Sequence, residues 1–175
     1  MASLPISLET LAALLPRHAR LIGVDLGTKT IGLALSDVER RIGTPLTTIE
    51  RKKFTTDAQQ LIAEIARHQV FALIVGLPLN MDGSEGPRVQ ATRAFLRNFS
   101  GLSATPFAFW DERLSTAAVN RSLIEQDVSR AKRAAVVDQM AAAYILQGAL
   151  DRLAAIGAVL AIPARPKRQP PDDGG

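Results

Sequence analysis

The sequence predicts an α/β fold: a five-stranded mixed sheet, three antiparallel strands followed by two parallel ones, flanked by helices. Three observations carry this. Short strand-like runs separated by turns occupy 21–50, and the pattern then changes from period 2 to period 3.6 at 57–68. A continuous apolar run at 70–75 is of the kind found in a central strand covered on both faces, and it opens an α/β half. At 175 residues and 47% hydrophobic, the chain can bury one core and is too short for two ordinary domains.

Residues 1–19 form an N-terminal helical extension in which SLETLAALL at 7–15 is a short amphipathic helix ended by Pro16, expected on the outside of the domain. Leu21 to Val24 is too short for a helix and too apolar for a surface loop, so it reads as a buried strand. Gly27-Thr28-Lys29-Thr30 reverses the chain and Ile31 to Leu35 returns, a hairpin with a four-residue loop. Gly23 and Gly32 have no side chain, so backbone or ligand can approach these strands closely. Thr44 to Glu50, led in by Pro45, makes the third strand of the meander.

Asp57 to His68 carries Leu61, Ile62, Ile65 and Ala66 at helical spacing. The strand from Val70 to Val75 runs into the loop GLPLNMDGSEG at 76–86, dense in Gly, Asn, Asp and Ser. A helix follows from about Pro87 to Phe99, with Val89, Leu96 and Phe99 on one face and Arg88, Arg93 and Arg97 on a solvated one. PFAFWDE at 106–112 is the fifth strand, ending in Asp111 and Glu112 before Arg113. Neighbours on a regular strand face opposite ways, so only one of the two acids can enter a site, and alternation leaves open which.

Ser115 suits the N-cap of a helix reaching Gln126, and 127–133 is a basic connector. The last helix runs from Ala134 to about Leu153. The main domain is thus 20–160, and the Pro-rich, polar residues 161–175 are expected to be a disordered tail.

There is no cysteine, which excludes disulfides, thiol nucleophiles and Cys-based metal centres, and fits a reducing cytoplasm. With only His18 and His68, any metal would be held by oxygen ligands, which favours magnesium or manganese. A formal charge of +4 and a pI near 10.0 point to an anionic partner, though a merely soluble basic domain fits as well. No stretch of 18 apolar residues is free of charge and the N-terminus lacks a signal-peptide pattern, so a soluble cytoplasmic protein is expected.

Asp25 ends an apolar strand, either capping turn amides or serving chemistry. In the last helix Asp138 is the only charge in the nearly apolar first three turns, on the stripe of Ala134, Ala141, Ile145 and Ala149. An acid on a buried stripe is costly unless it is paired, for example with Lys132 or Arg133, or binds a metal, the favoured reading here. Carboxylates at two strand ends and inside the last helix can hold a pair of divalent ions about 3.5 to 4 Å apart, a clamp for a phosphodiester.

Four segments together, GVDLGTKTIGLALSD at 23–37, VGLPLNMDGSEG at 75–86, DERLST at 111–116 and KRAAVVDQMAAAYILQ at 132–147, resemble the YqgF (RuvX) family. The likeness covers roughly 20–153. Members are bacterial proteins of RNase H-like fold, described as Holliday junction resolvases and as nucleases maturing the 5′ end of the small-subunit rRNA precursor. The resemblance implies that Asp25, Glu112 and Asp138 are the metal-binding catalytic triad, and it favours Glu112 over Asp111. Lys29, Asn80, Arg113 and Lys132 become candidates for substrate contact, with Asp82 and Ser84 in the same loop positioning substrate or closing the loop.

The implied activity is in-line hydrolysis of structured nucleic acid with Mg2+ or Mn2+, leaving a 5′-phosphate and a 3′-hydroxyl. Implied partners are pre-rRNA or branched DNA and ribosomal particles, with no membrane, and the protein is a monomer or a homodimer. Two other readings stand beside this one. DLGTKT at 25–30 also resembles the phosphate loop of actin-like ATPases and sugar kinases, which need two such domains where this chain supplies one. A non-catalytic rRNA- or junction-binding module would keep the basic balance without turnover.

Overall fold

The computed structural model describes residues 4–114 and 130–161, the side chains of 130–136 excepted. The helix expected from Ser115 to Gln126, the side chains of Lys132 and Arg133, and the tail beyond Ala161 lie outside the described residues. The order is α1 (Leu8–Leu14), β1 (Arg20–Leu26), β2 (Thr30–Ser36), β3 (Gly43–Glu50), α2 (Phe54–Arg67), β4 (Val70–Leu77), α3 (Pro87–Phe99), β5 (Phe107–Asp111), a 3-10 turn (Glu112–Leu114) and α4 (Arg130–Leu160).

The strands form one sheet in the order β3-β2-β1-β4-β5. β1–β2 and β2–β3 are antiparallel and β1–β4 and β4–β5 parallel, as the meander-then-α/β reading requires. β1 and β4 are buried along nearly their whole length, the pattern of strands covered on both faces. β3 lies at the edge, where Pro45 removes a donor with little penalty beside a register shift at Leu33/Ala34.

Alternation along β1 sorts its residues between two apolar layers. Ile22, Val24 and Leu26 join Leu61 and Ala58 of α2 and Phe95, Leu96 and Phe99 of α3. Leu21 faces the other way, among Leu11 of α1 and Ala142, Ile145, Leu146 and Ala149 of α4. On that side the sheet is notched. A Cβ added at Gly23 would stand 2.6 Å from the Ala142 carbonyl oxygen, so α4 lies close enough against β1 to require glycine there.

α1 is capped by Ser7, whose hydroxyl accepts from the Thr10 amide at 3.1 Å, and its Leu11 is fully buried in the α4 layer. The Ile6 amide donates to the Phe107 carbonyl at 2.9 Å, tying the N-terminal residues to β5.

Several boundaries differ from the sequence reading, and β4 runs on to Leu77, which puts Gly76 on the strand and not in the loop. α2 begins at Phe54 rather than Asp57, because Phe54 packs edge-on against Phe95 at 5.2 Å and gains from joining the helix. α4 extends from Arg130 to Leu160, since Ala, Lys and Arg in the supposed connector are strong helix formers. Glu112 is not on the fifth strand: β5 stops at Asp111 and the chain turns. By length and composition Val137–Leu160 could cross a membrane, but its inner face forms one of the two core layers.

Candidate active site

Three residues abreast on the α4 side of the sheet define the site. Asp25 on β1 pairs in register with Gly32 on β2, and register partners share a face. On the other side the parallel register sets Val24 opposite Val75, and carried one step further it brings Gly76 beside Asp25. A carboxylate therefore lies between two residues that have no side chain, and Asp25 is only 2% exposed.

The space over each glycine is taken by another acid. A Cβ at Gly32 would fall 2.1 Å from the backbone oxygen of Asp138 and 2.8 Å from its Cβ, so α4 sets Asp138 directly over β2. A Cβ at Gly76 would fall 2.5 Å from Glu112 Oε1, so the turn after β5 folds that carboxylate back over β4. Since neighbouring strands lie about 4.8 Å apart, Asp138 and Glu112 flank Asp25 on opposite sides, each roughly one strand spacing away. The structure thus gathers Asp25, Glu112 and Asp138 in one region.

Each acid is held by its surroundings. Thr30 Oγ1 donates to Asp138 Oδ2, and Gln139 Nε2 donates to Thr48 Oγ1 at 2.9 Å, fixing this turn of α4 to β2 and β3. Thr30 was not singled out from sequence, although two-residue alternation from Gly32 puts it on the site's face. Asp111 is turned to another use, for Arg113 grips both its oxygens through Nε at 3.0 and 3.1 Å and through Nη2 at 2.7 Å. That grip holds the Asp111 carboxyl below its usual range.

The candidate substrate-contact residues are spread around this row. Lys29 is exposed at the tip of the β1–β2 turn. Asn80 is exposed too and donates to Ser84 Oγ at 2.9 Å, within a loop that Asp82 closes by accepting from the Ser84 hydroxyl and amide at 2.6 and 2.9 Å. Those two bonds hold Asp82 below the usual carboxylate range. Gly83, at φ +85, allows the turn.

Arg113 also donates to the Met81 carbonyl at 3.3 Å, joining the loop to the end of β5. Lys132 belongs to the first turn of α4, and its side chain is outside the described residues. A further support escaped the sequence reading. Arg51 donates to the Gly27 carbonyl at 2.7 Å and stands 3.9 Å from buried Asp57, bracing the hairpin turn against α2.

The donors gathered here are carboxylate oxygens, hard ligands suited to magnesium or manganese. His68 sits at the far end of the sheet, just ahead of β4. Among the described residues no group of three or more Asp, Glu or His side chains stands close enough together to hold a metal ion. Magnesium keeps several waters and takes only one or two carboxylates plus substrate phosphate.

A family model described as RuvX, Holliday junction resolvase, matches residues 19–152. A relative from Beijerinckia indica, named "Putative pre-16S rRNA nuclease", is 68% identical over 154 residues, covering 88% of this chain and 93% of its own. Its namesake from Methylocella silvestris is 66% identical over 158 residues, 90% of this chain and 98% of its own. Among solved structures, Thermus thermophilus RuvC in complex with Holliday junction substrate matches with a TM-score of 0.50 at 13% identity, covering 78% of this chain and 97% of that one. That likeness concerns the fold.

Proposed function

The chain belongs to the RuvX family, and from that premise we propose that it is a divalent-metal-dependent endonuclease hydrolysing phosphodiesters in structured nucleic acid, acting in 5′-end processing of pre-16S rRNA. The observation that carries the reading is the row of Gly32, Asp25 and Gly76, with the carboxylates of Asp138 and Glu112 over its two ends. Three acids brought to one region by a strand, a turn and a helix offer the oxygen ligands that a hard divalent cation takes. As a protein of the cytoplasm it would meet its RNA on ribosomal particles.

Asp25, Glu112 and Asp138 are the residues that would hold one or two magnesium or manganese ions. When bound, such ions lower the pKa of water and neutralise charge on the leaving oxygen. The chain's own part is positional. Burial between two strands fixes Asp25, and the Thr30 hydroxyl sets the rotamer of Asp138. Lys29 at the turn tip, Asn80 in the following loop and Lys132 on α4 would meet the phosphates on either side of the scissile bond. Arg113 would act mainly by keeping the 79–84 loop against the end of β5.

Junction cleavage is the second reading, favoured by the description of the family model itself. A four-way junction is two-fold symmetric, so resolving it would call for a dimer of this chain. The test assays a pre-16S 5′ fragment and a four-way DNA junction side by side, with magnesium or manganese, using wild type, Asp25→Asn and Asp138→Asn. Both variants should fold and lose on the order of 10³-fold in cleavage. Full activity in either one would overturn the assignment.

A further inference from the structure

At the pole of the sheet opposite the acids, where β1 and β4 begin, a cavity of about 220 Å3 is lined by His18, Arg20, Arg67, His68 and Gln69 over a floor that includes Ala19. Four of these side chains are basic. Glu64 pairs with two of them, with Arg67 at 3.4 Å and with His68 at 3.3 Å. Arg20 has no such compensation. Among the described residues its guanidinium makes no hydrogen bond or ion pair, and its Nε is buried without an acceptor. A buried cationic donor left unmet is unfavourable, and an anion is the partner that satisfies both its charge and its fork of N–H groups.

The backbone around the cavity is strained as well. Among the described residues only Arg40 and Gln69 are non-glycine positions with positive φ, at 58° and 53°. Gln69 lines the cavity, and Arg40 donates to the Ala19 carbonyl at 2.9 Å. Strain held at two points around one pocket is the kind that persists where a site is being shaped.

We infer that this cavity is a second phosphate-binding site, one that takes a backbone phosphate of the substrate strand remote from the scissile bond. Arg20 lies five residues before Asp25 on the same strand, so the two sites are roughly 17 Å apart. Spanning both takes about five nucleotides of stacked strand, so a mononucleotide or dinucleotide cannot reach both whereas a longer strand can. The site therefore gives the enzyme a means of favouring longer substrate strands over mono- and dinucleotides. This rests on the nuclease reading for the identity of the ligand and on the cavity alone for its chemistry.

The two dependences can be tested separately. The chain has only two histidines and both line the cavity, so their imidazole proton resonances report on it without ambiguity. Inorganic phosphate titrated at fixed pH and ionic strength should shift both resonances saturably, and the response should vanish in Arg20→Gln. No shift in the wild type overturns the site whatever the enzyme's substrate.

The second measurement is binding of a folded pre-16S fragment to the Asp25→Asn protein, where cleavage does not intervene. Adding Arg20→Gln should weaken binding about fivefold to tenfold and lower the salt slope by about one. Should Arg20→Gln not fold, Arg67→Gln combined with His18→Gln, both at exposed positions, replaces it. Phosphate shifts with unchanged RNA affinity would mean a site for a small free anion, and would overturn the substrate-strand assignment.

Discussion

At the scale of single residues the site depends on what is missing from Gly32 and Gly76, and the two absences are not equivalent. A methyl group at Gly32 would meet the backbone of α4, at 2.1 Å from the Asp138 oxygen and 2.3 Å from its carbonyl carbon. At Gly76 the same methyl would meet the far ends of two side chains, Glu112 Oε1 and Ile145 Cδ1, both at 2.5 Å. A side chain can swing aside and a packed helix cannot. Gly76→Ala should therefore cost about 1–3 kcal/mol of stability and still fold. Its cleavage rate should fall steeply, since Glu112 must leave its place. Gly32→Ala should be the more destabilised in denaturant unfolding, and equal losses in the pair would contradict this account. Asp25, Asp138 and Gly32 were each legible in the sequence, because an acid or a glycine on an apolar strand or stripe breaks a pattern. Gly76 was read only as the start of a loop, because its role depends on a turn 36 residues away in the chain.

Elements were legible where they follow a period and obscure where they end. α3 runs from Pro87 to Phe99 as expected, because proline at the first turn and an apolar face at helical spacing both mark it. The end of β5 was misjudged by one residue, and alternation from Trp110, which lies in the α4 layer, already puts Glu112 on the site's face. In a continuing strand Asp111 and Glu112 would take opposite faces. The observed turn leaves Asp111 to Arg113 and folds Glu112 over Gly76. The turn itself should be pH-sensitive. Arg113 lowers the Asp111 carboxyl from its reference of 3.8, and hydrogen bonds from Ser84 lower Asp82 in the same loop. For a lowered carboxyl the stabilisation is fully present above pH 3.8 and disappears as pH falls through the folded-state value. Thermal melts between pH 6 and pH 3 should show wild type losing stability below about pH 4. Arg113→Gln, already without the pairing, should follow a flatter profile there. Parallel profiles would mean that the Arg113 fork contributes nothing to the fold.

For the molecule as a whole, the sheet order and its two covered faces follow from apolar patterning, which is why fold class could be read before any contact was known. Charge distribution could not. A formal +4 is a small excess of 21 basic over 17 acidic residues, so the mean field of the molecule cannot account for tight binding of a polyanion. What counts is where the cations stand relative to the acidic row. Residues 162–175 bring three basic side chains, Arg165, Lys167 and Arg168, against Asp172 and Asp173, a net contribution of one positive charge. Each phosphate neutralised changes the logarithmic salt dependence of binding by nearly one. Truncation after Ala161 should retain cleavage and, with three cations lost, lower the salt slope for a folded pre-16S fragment by about three units at most. Replacing both Lys29 and Lys132 with alanine should lower it by about two. Fluorescence anisotropy at several salt concentrations measures both slopes. A truncated protein that loses binding altogether would move the nucleic-acid interface from the sheet to the tail.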